Sequence, residues 1–188
     1  MREGEALLDA GCGEGHHLAA FRAAYRIDGC GVDISIPAID LAARRYADSL
    51  WIVANADRML PFAEASFDAV ASITARLNPP EFRRLLRPGG RLLVVIPGAT
   101  DLVELRELTQ GARVERDRTE RTIDMFAPHF ALVSHEHVTH QTKLDRTDIA
   151  DVMESSYRGL RARERERLAT IESADVTLSR DVVVFAAK

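Results

Sequence analysis

Three glycines at alternate positions follow an acidic residue in Leu8-Asp9-Ala10-Gly11-Cys12-Gly13-Glu14-Gly15. The apolar run Ala6-Leu7-Leu8 ahead of them reads as a buried parallel strand, and about His16 to Arg26 reads as a helix. Glycine is needed where φ is positive or where backbone must come close to a ligand. A strand, tight turn and helix in this order direct backbone N–H groups and a helix N-terminus at whatever lies above the strand. That chemistry suits a nucleotide or nucleoside. A dinucleotide site wants G-x-G-x-x-G. Here Gly15 comes one position early, and Asp9 suits a ligand bearing ammonium and sulfonium groups better than a pyrophosphate. The plainer alternative is a tight strand-to-helix connection without a ligand.

A second acid sharpens the reading. Ile27-Asp28-Gly29-Cys30-Gly31-Val32 reads as the next strand, ending at Asp33. A carboxylate at the tip of the second strand, about 20 residues beyond the glycine turn, is placed to take the two hydroxyls of a ribose. The alternative is a cap on the helix starting near Ile36, for which Ser35 is the better residue.

These residues need a scaffold, and alternating strand and helix patterns supply one. Helix is expected over Ile36–Tyr46, strand over Trp51–Ala54, a loop over Asn55–Ser66 and strand over Phe67–Ile73. Pro79–Leu86 reads as helix, Arg87-Pro88-Gly89-Gly90 as a turn and Arg91–Ile96 as strand. Asp101–Gln110 is an amphipathic helix with Asp101 as its cap, and Ala112–Arg121 a charged loop or frayed helix. Phe130–Thr139 and Val176–Ala187 read as strands, with helix over most of Asp145–Arg167. The expectation is an α/β, Rossmann-like, mostly parallel sheet of seven strands with helices on both faces and an antiparallel final strand. One domain over 1–188 is expected, with a substrate-side helical insertion at 144–172.

Leu8 to Gly15, Gly31-Val32-Asp33-Ile34-Ser35, Leu60-Pro61-Phe62, Ser66-Phe67-Asp68-Ala69 and Leu86-Arg87-Pro88-Gly89-Gly90 together resemble the class I S-adenosylmethionine-dependent methyltransferases, in order and spacing. Asp33 to Tyr46 and Ile96 to Leu105 are similar to the large-subunit ribosomal RNA guanine-N1 methyltransferases. The resemblance implies that Gly11, Cys12, Gly13 and Gly15 line the methionine part of S-adenosylmethionine and that Asp9 steers its ammonium. It implies that Asp33 takes the ribose and that Ile34 packs on the adenine. Asn55, Ala56 and Asp57 follow the third strand, where an acceptor for the adenine amino group is expected. Asp57 stands one position later than the usual pattern, so Asn55 or Asp57 serves, or Asp57 is a solvated loop carboxylate. Ile73, closing the fourth strand, completes the implied cofactor set. The family transfers a methyl group without metal or covalent nucleophile, so the protein supplies proximity and alignment.

The resemblance implies an RNA substrate, with a small molecule as the alternative and a cofactor-binding protein without turnover as a third reading. Two departures fall on the substrate side. The zinc-binding N-terminal region of the RNA enzymes is not seen in this chain. Where they carry a proline after the fourth strand and a Met-Thr-Pro-like segment, this chain has Thr74-Ala75-Arg76 and Ser155-Ser156-Tyr157. No general base is named by the sequence. His16, His17 and His140 are candidates that surface or packing roles would equally explain. Arg158, Arg161 and Arg165 share a helical face that would suit a phosphate backbone, although Glu164 and Glu166 interleave as in a solvated helix. His135-x-His137-x-x-His140 lacks a fourth metal ligand at suitable spacing.

Composition bounds the rest. The net charge of −4 over 188 residues argues against strong nonspecific nucleic-acid binding, while leaving room for a local basic patch. Cys12 and Cys30 are too few for a disulfide framework and wrongly spaced for a metal site, which fits a reducing cytoplasm. No apolar run approaches the length of a membrane span. Only five residues precede the first strand, so either the domain is minimal or upstream residues are missing.

Overall fold

The structure, a computed structural model, describes residues 1–111, 115–154, 166–167 and 170–188. Seven strands form one sheet: β1 (Ala6–Ala10), β2 (Asp28–Asp33), β3 (Leu50–Val53), β4 (Phe67–Ile73), β5 (Leu86–Pro97), β6 (Phe130–Asp145) and β7 (Ser173–Ala187). Their spatial order is β3-β2-β1-β4-β5-β7-β6, with the final strands antiparallel as expected. β1 pairs in parallel with β2 and β4, β2 with β3, and β4 with β5. Parallel neighbours require crossovers, and α1 (His16–Tyr25), α2 (Ile36–Arg45) and α3 (Pro79–Leu85) provide them.

The chain divides into two compact units. One comprises residues 1–96, 119–136 and 182–188, the other residues 97–118 and 137–181. In the first, the strand period of two sends neighbouring side chains to opposite faces. Leu7, Ala69 and Ala71 pack with Leu18 and Phe21 of α1. Leu8, Ala10, Val32 and Val70 pack with Phe82 and Leu85 of α3 and Phe126 of α5 (Thr119–Phe126). Helices therefore cover both faces, and the glycine turn rises from a strand fixed by two apolar layers.

An ion pair between buried Glu81 and half-buried Arg84 anchors the loop after β3. Glu81 accepts the Leu60 N–H at 2.7 Å and is held by Arg84, at 2.6 Å to one oxygen and 2.9 Å to the other. Arg84 also donates to the Phe62 carbonyl at 2.8 Å. The Arg84 hydrogen bonds, chiefly, with that of Leu60, hold the Glu81 carboxyl below its ordinary range despite its desolvation.

Three local expectations change. β5 starts at Leu86, taking in the expected turn at 87–90, because its pairing with β4 slips between Phe67↔Leu86 and Ala69↔Arg91. The extra residues form a bulge at that point. α5 begins inside the stretch 112–121 expected as a charged loop or frayed helix and runs on through residues to which no element was assigned, because Thr119 and Thr122 share its buried stripe with Phe126 and threonine counts as polar in a hydropathy pattern. β6 continues six residues past Thr139.

In the second unit, Leu105 of α4 (Val103–Gln110), Ile149 of α6 (Arg146–Glu154), Ala174 and Val176 form a small core. Asp101 does not cap α4. Leu102 occupies that position, while the Asp101 carboxylate accepts the Ser179 N–H at 3.0 Å and pairs with Arg180. Buried Asp181 meets Nδ1 of His137 at 3.0 Å, and Ser179 Oγ lies 3.3 Å from its Nε2. Of the helical insertion expected at 144–172, residues 155–165 and 168–169 lie outside the described residues, as do Ser155-Ser156-Tyr157, Arg158, Arg161, Arg163 and Arg165. Among the described residues no helix is long and apolar enough to cross a membrane.

Candidate functional site

The first unit gathers the predicted residues at the C-terminal ends of β1, β2 and β4, the end of an open parallel sheet at which ligands bind. Gly11 and Cys12 donate their N–H groups to the Val32 carbonyl at 2.8 and 3.0 Å, and Gly15 donates to the Cys12 carbonyl at 2.9 Å. The turn therefore closes on itself and on β2. Gly15 is the N-cap of α1 and brings no capping side chain, so the helix N-terminus, rather than the turn, presents the unpaired amides. Gly11 and Gly15 have φ of 86° and 82°, and a Cβ would overlap Ala75 at the first and the Trp51 ring at the second. Glycine is required there on both conformational and steric grounds. At Gly13 the space is open.

Asp33 is positioned by two backbone donors. Gly13 N–H meets its Oδ2 at 2.9 Å, and Ser35 N–H meets its Oδ1 at 2.9 Å. Each oxygen retains a further lone pair for a ligand hydroxyl. Ser35, whose Oγ accepts the Ala38 N–H at 3.4 Å, is the cap of α2, so the capping alternative for Asp33 falls away. The next side chain, Ile34, is 67% exposed, an apolar surface beside a carboxylate.

Asp9 occupies a different environment. It is 1% exposed, and its Oδ2 has no hydrogen-bond partner among the described residues. Burial, with the nearby Asp33 charge adding to it, pushes its carboxyl up to about 7. Burial and the same two carboxylates also raise the Cys12 thiol, and burial raises Cys30 to about 12, so neither is a ready nucleophile. A lone buried carboxylate oxygen is an unusual feature in a folded protein. It fits a cationic ligand well.

The remaining predicted residues have identifiable partners. Asn55 Oδ1 accepts the Asp57 N–H at 2.9 Å, closing a turn after β3. Asp57 pairs with Arg76 at 3.6 Å, and Asn78 Nδ2 donates to the Ala56 carbonyl at 2.9 Å. Ile73 is half-buried, packed with the α1-facing core. His17 is held below its ordinary range by burial and then by His16, while His16 Nδ1 lies 3.0 Å from the Tyr46 hydroxyl.

Several supports have no sequence signature. The Trp51 ring lies against both Gly15 and Gly31, and its Nε1 donates to the Tyr46 carbonyl at 2.8 Å. Arg45 donates to Glu14 at 2.7 Å, tying the end of α2 to the glycine turn. A glycine at 31, inside a strand, was the one available hint that something bulky crosses β2 there.

Strand order, glycine turn and acidic second-strand tip occur together here, and residues 7–93 match the family described as a methyltransferase domain. The chain belongs to the class I S-adenosylmethionine-dependent methyltransferases. Within that class it is 35% identical over 150 residues to a 23S rRNA (guanine(748)-N(1))-methyltransferase of Streptomyces fradiae, covering 79% of this chain and 54% of the relative. It is 32% identical over 187 residues to a putative 23S rRNA (guanine-N(1)-)-methyltransferase of Bacillus subtilis, covering 95% of this chain and 65% of the relative. The chain thus spans about half to two thirds of the length of these curated relatives. Among solved structures, a putative methyltransferase from Bacillus halodurans superposes with a TM-score of 0.69 at 15% identity, covering 99% of this chain and 94% of that one, a likeness of fold.

Proposed function

We propose that this protein transfers a methyl group from S-adenosylmethionine to a guanine ring nitrogen of ribosomal RNA. The observation that carries the cofactor half is the buried, unpartnered Asp9 Oδ2 beside Asp33, whose two oxygens are fixed by Gly13 and Ser35. Asp9 faces the donor's positive charge and Asp33 takes the ribose hydroxyls. Ile34 packs on the adenine. The Asn55-Ala56-Asp57 turn borders the adenine edge, Gly11 to Gly15 lines the methionine portion, and Ile73 backs it from β4.

When bound, the cofactor supplies a methyl group already activated on a sulfonium. The chain's own residues then have three tasks. The glycine turn and the α1 N-terminus seat the donor. Asp33 fixes its rotation, and Trp51 holds the turn in place. Rate enhancement by alignment of this kind is worth several orders of magnitude. For the acceptor, the 35% and 32% identities to guanine-N1 enzymes support ribosomal RNA. The target base would be presented from a loop or flipped out of its stack.

The test is incubation of the full chain with methyl-labelled S-adenosylmethionine and unmodified 23S ribosomal RNA, followed by nucleoside mass analysis. Labelled N1-methylguanosine is the expected product. Label confined to small metabolites would overturn the RNA assignment and leave a small-molecule methyltransferase. Binding of S-adenosylhomocysteine with no transfer to either class would point to a cofactor-binding protein without turnover.

A further inference from the structure

We propose that Asp9 is a proton-linked charge sensor, holding a proton in the free protein and releasing it when the cationic methyl donor binds, so that the site prefers donor over demethylated product. This rests on the S-adenosylmethionine reading of the site.

The geometry leads to this. Asp9 lies in the middle of β1, in register with Gly31 of β2 and Ala71 of β4, neither of which brings a polar side chain. It is 1% exposed, makes no ion pair among the described residues, and leaves Oδ2 without a donor. A carboxylate in that state lacks both solvent and counter-charge, so the neutral acid is the favoured form until a cation arrives. The groups acting on Asp9 add no positive charge. Asp33 of β2 repels a second anion, and Cys12, in the turn, carries a thiol raised well above its ordinary range. The balance for Asp9 sits at about 7, where small changes in local charge move it. The further titratable side chains beside the turn are His16 and His17, which open α1.

The donor carries a sulfonium charge that its demethylated product lacks, and both carry an ammonium. Binding of the donor therefore draws Asp9 further toward the anion. No bond of Asp9 is made or broken beyond its O–H, and the proton goes to solvent. Methyl transfer then removes the sulfonium charge, proton uptake by Asp9 follows, and the product is held less tightly.

Calorimetry of the full chain with S-adenosylmethionine and with S-adenosylhomocysteine, in buffers of different ionisation enthalpy, reads the proton count directly. At pH 7 the donor is expected to release roughly half a proton and the product less, as follows for a group titrating near 7. Donor affinity is expected to rise about tenfold between pH 5.5 and 7, with the donor-to-product ratio widening over the same range. In Asp9→Asn both the release and the widening disappear, while any histidine contribution persists. Carboxyl 13C shifts of Asp9 in the unaltered protein provide a second measurement independent of the variant's folding. They are expected to titrate near 7 in the free protein and lower with donor bound. Donor heat that is independent of buffer, or an Asp9 signal that titrates in the ordinary carboxylate range, overturns the inference alone. Absence of heat with both ligands overturns the cofactor reading and the inference together.

Discussion

The Gly13 N–H donates to Asp33 Oδ2 at 2.9 Å, joining the glycine turn after β1 to the acidic tip of β2 across 20 residues of chain. The bond fixes the carboxylate before any ligand arrives, so binding need not pay for ordering it. It also makes the turn and the acid one device: displacing either moves the other.

Asp33→Ala removes the acceptor of both backbone donors and any ligand hydroxyl. Calorimetric affinity for S-adenosylhomocysteine is expected to fall by roughly 1–3 kcal/mol, the range for hydrogen bonds to a charged group. Affinity unchanged from the parent would show that the ribose is held elsewhere.

Trp51 is the one tryptophan in the chain and lies against Gly15 and Gly31. Its emission is expected to shift on titration with S-adenosylhomocysteine. In Gly15→Ala the new methyl group meets the ring at a φ of 82°, and the expected outcome is loss of that response with a stability decrease above about 1 kcal/mol. A variant that binds and responds normally would contradict the buttressing role.

Asp9 makes the free protein sensitive to pH in an unusual direction. Its folded value of about 7 exceeds the ordinary 3.8. Between those values the folded chain holds a proton that the unfolded chain has lost, so stability falls as pH rises through this window. Asp9→Asn is expected to flatten the fall and to be more stable than the parent by roughly 1–3 kcal/mol at pH 8. Urea unfolding from pH 5 to 8 measures both slopes, and parallel curves would count against the buried-acid account.

Glu81 behaves in the opposite sense. Its carboxyl is held below its ordinary range, chiefly by Arg84, so its contribution is complete above that range and fades as pH falls through it. Glu81→Ala removes the counter-charge of Arg84, which keeps only its carbonyl partners, and the acceptor of the Leu60 N–H, and is expected to destabilise by about 2–4 kcal/mol at pH 7. The gap to the parent should narrow at pH 4 in urea titrations. A gap that is constant with pH would assign the loss to packing instead.

Much of the unit bearing the site was legible in the order of residues. Short runs rich in apolar residues located β1, β2 and β4, the alternate glycines located the turn, and Asp33 marked the strand tip, because each signal lies within a few neighbouring residues. Elsewhere the local signal misled. Thr119 falls in a stretch that reads as charged and exposed yet lies on the buried face of α5, and Asp101 reads as a cap yet serves Ser179 and Arg180.

By itself, then, the sequence determined the kind of sheet, the place of the turn and the identities of the two acids. Only the tertiary structure decided how those acids differ. Asp33, already served by its local neighbour Ser35, gained a second backbone donor when folding brought Gly13 beside it, while Asp9 was closed off from water and left with a bare oxygen. Likewise only packing set Trp51 against the turn and Glu81 beneath the loop at Leu60. The reason is that solvent exclusion and the supply of partners belong to the packed assembly of distant segments, and no window of neighbouring residues contains them.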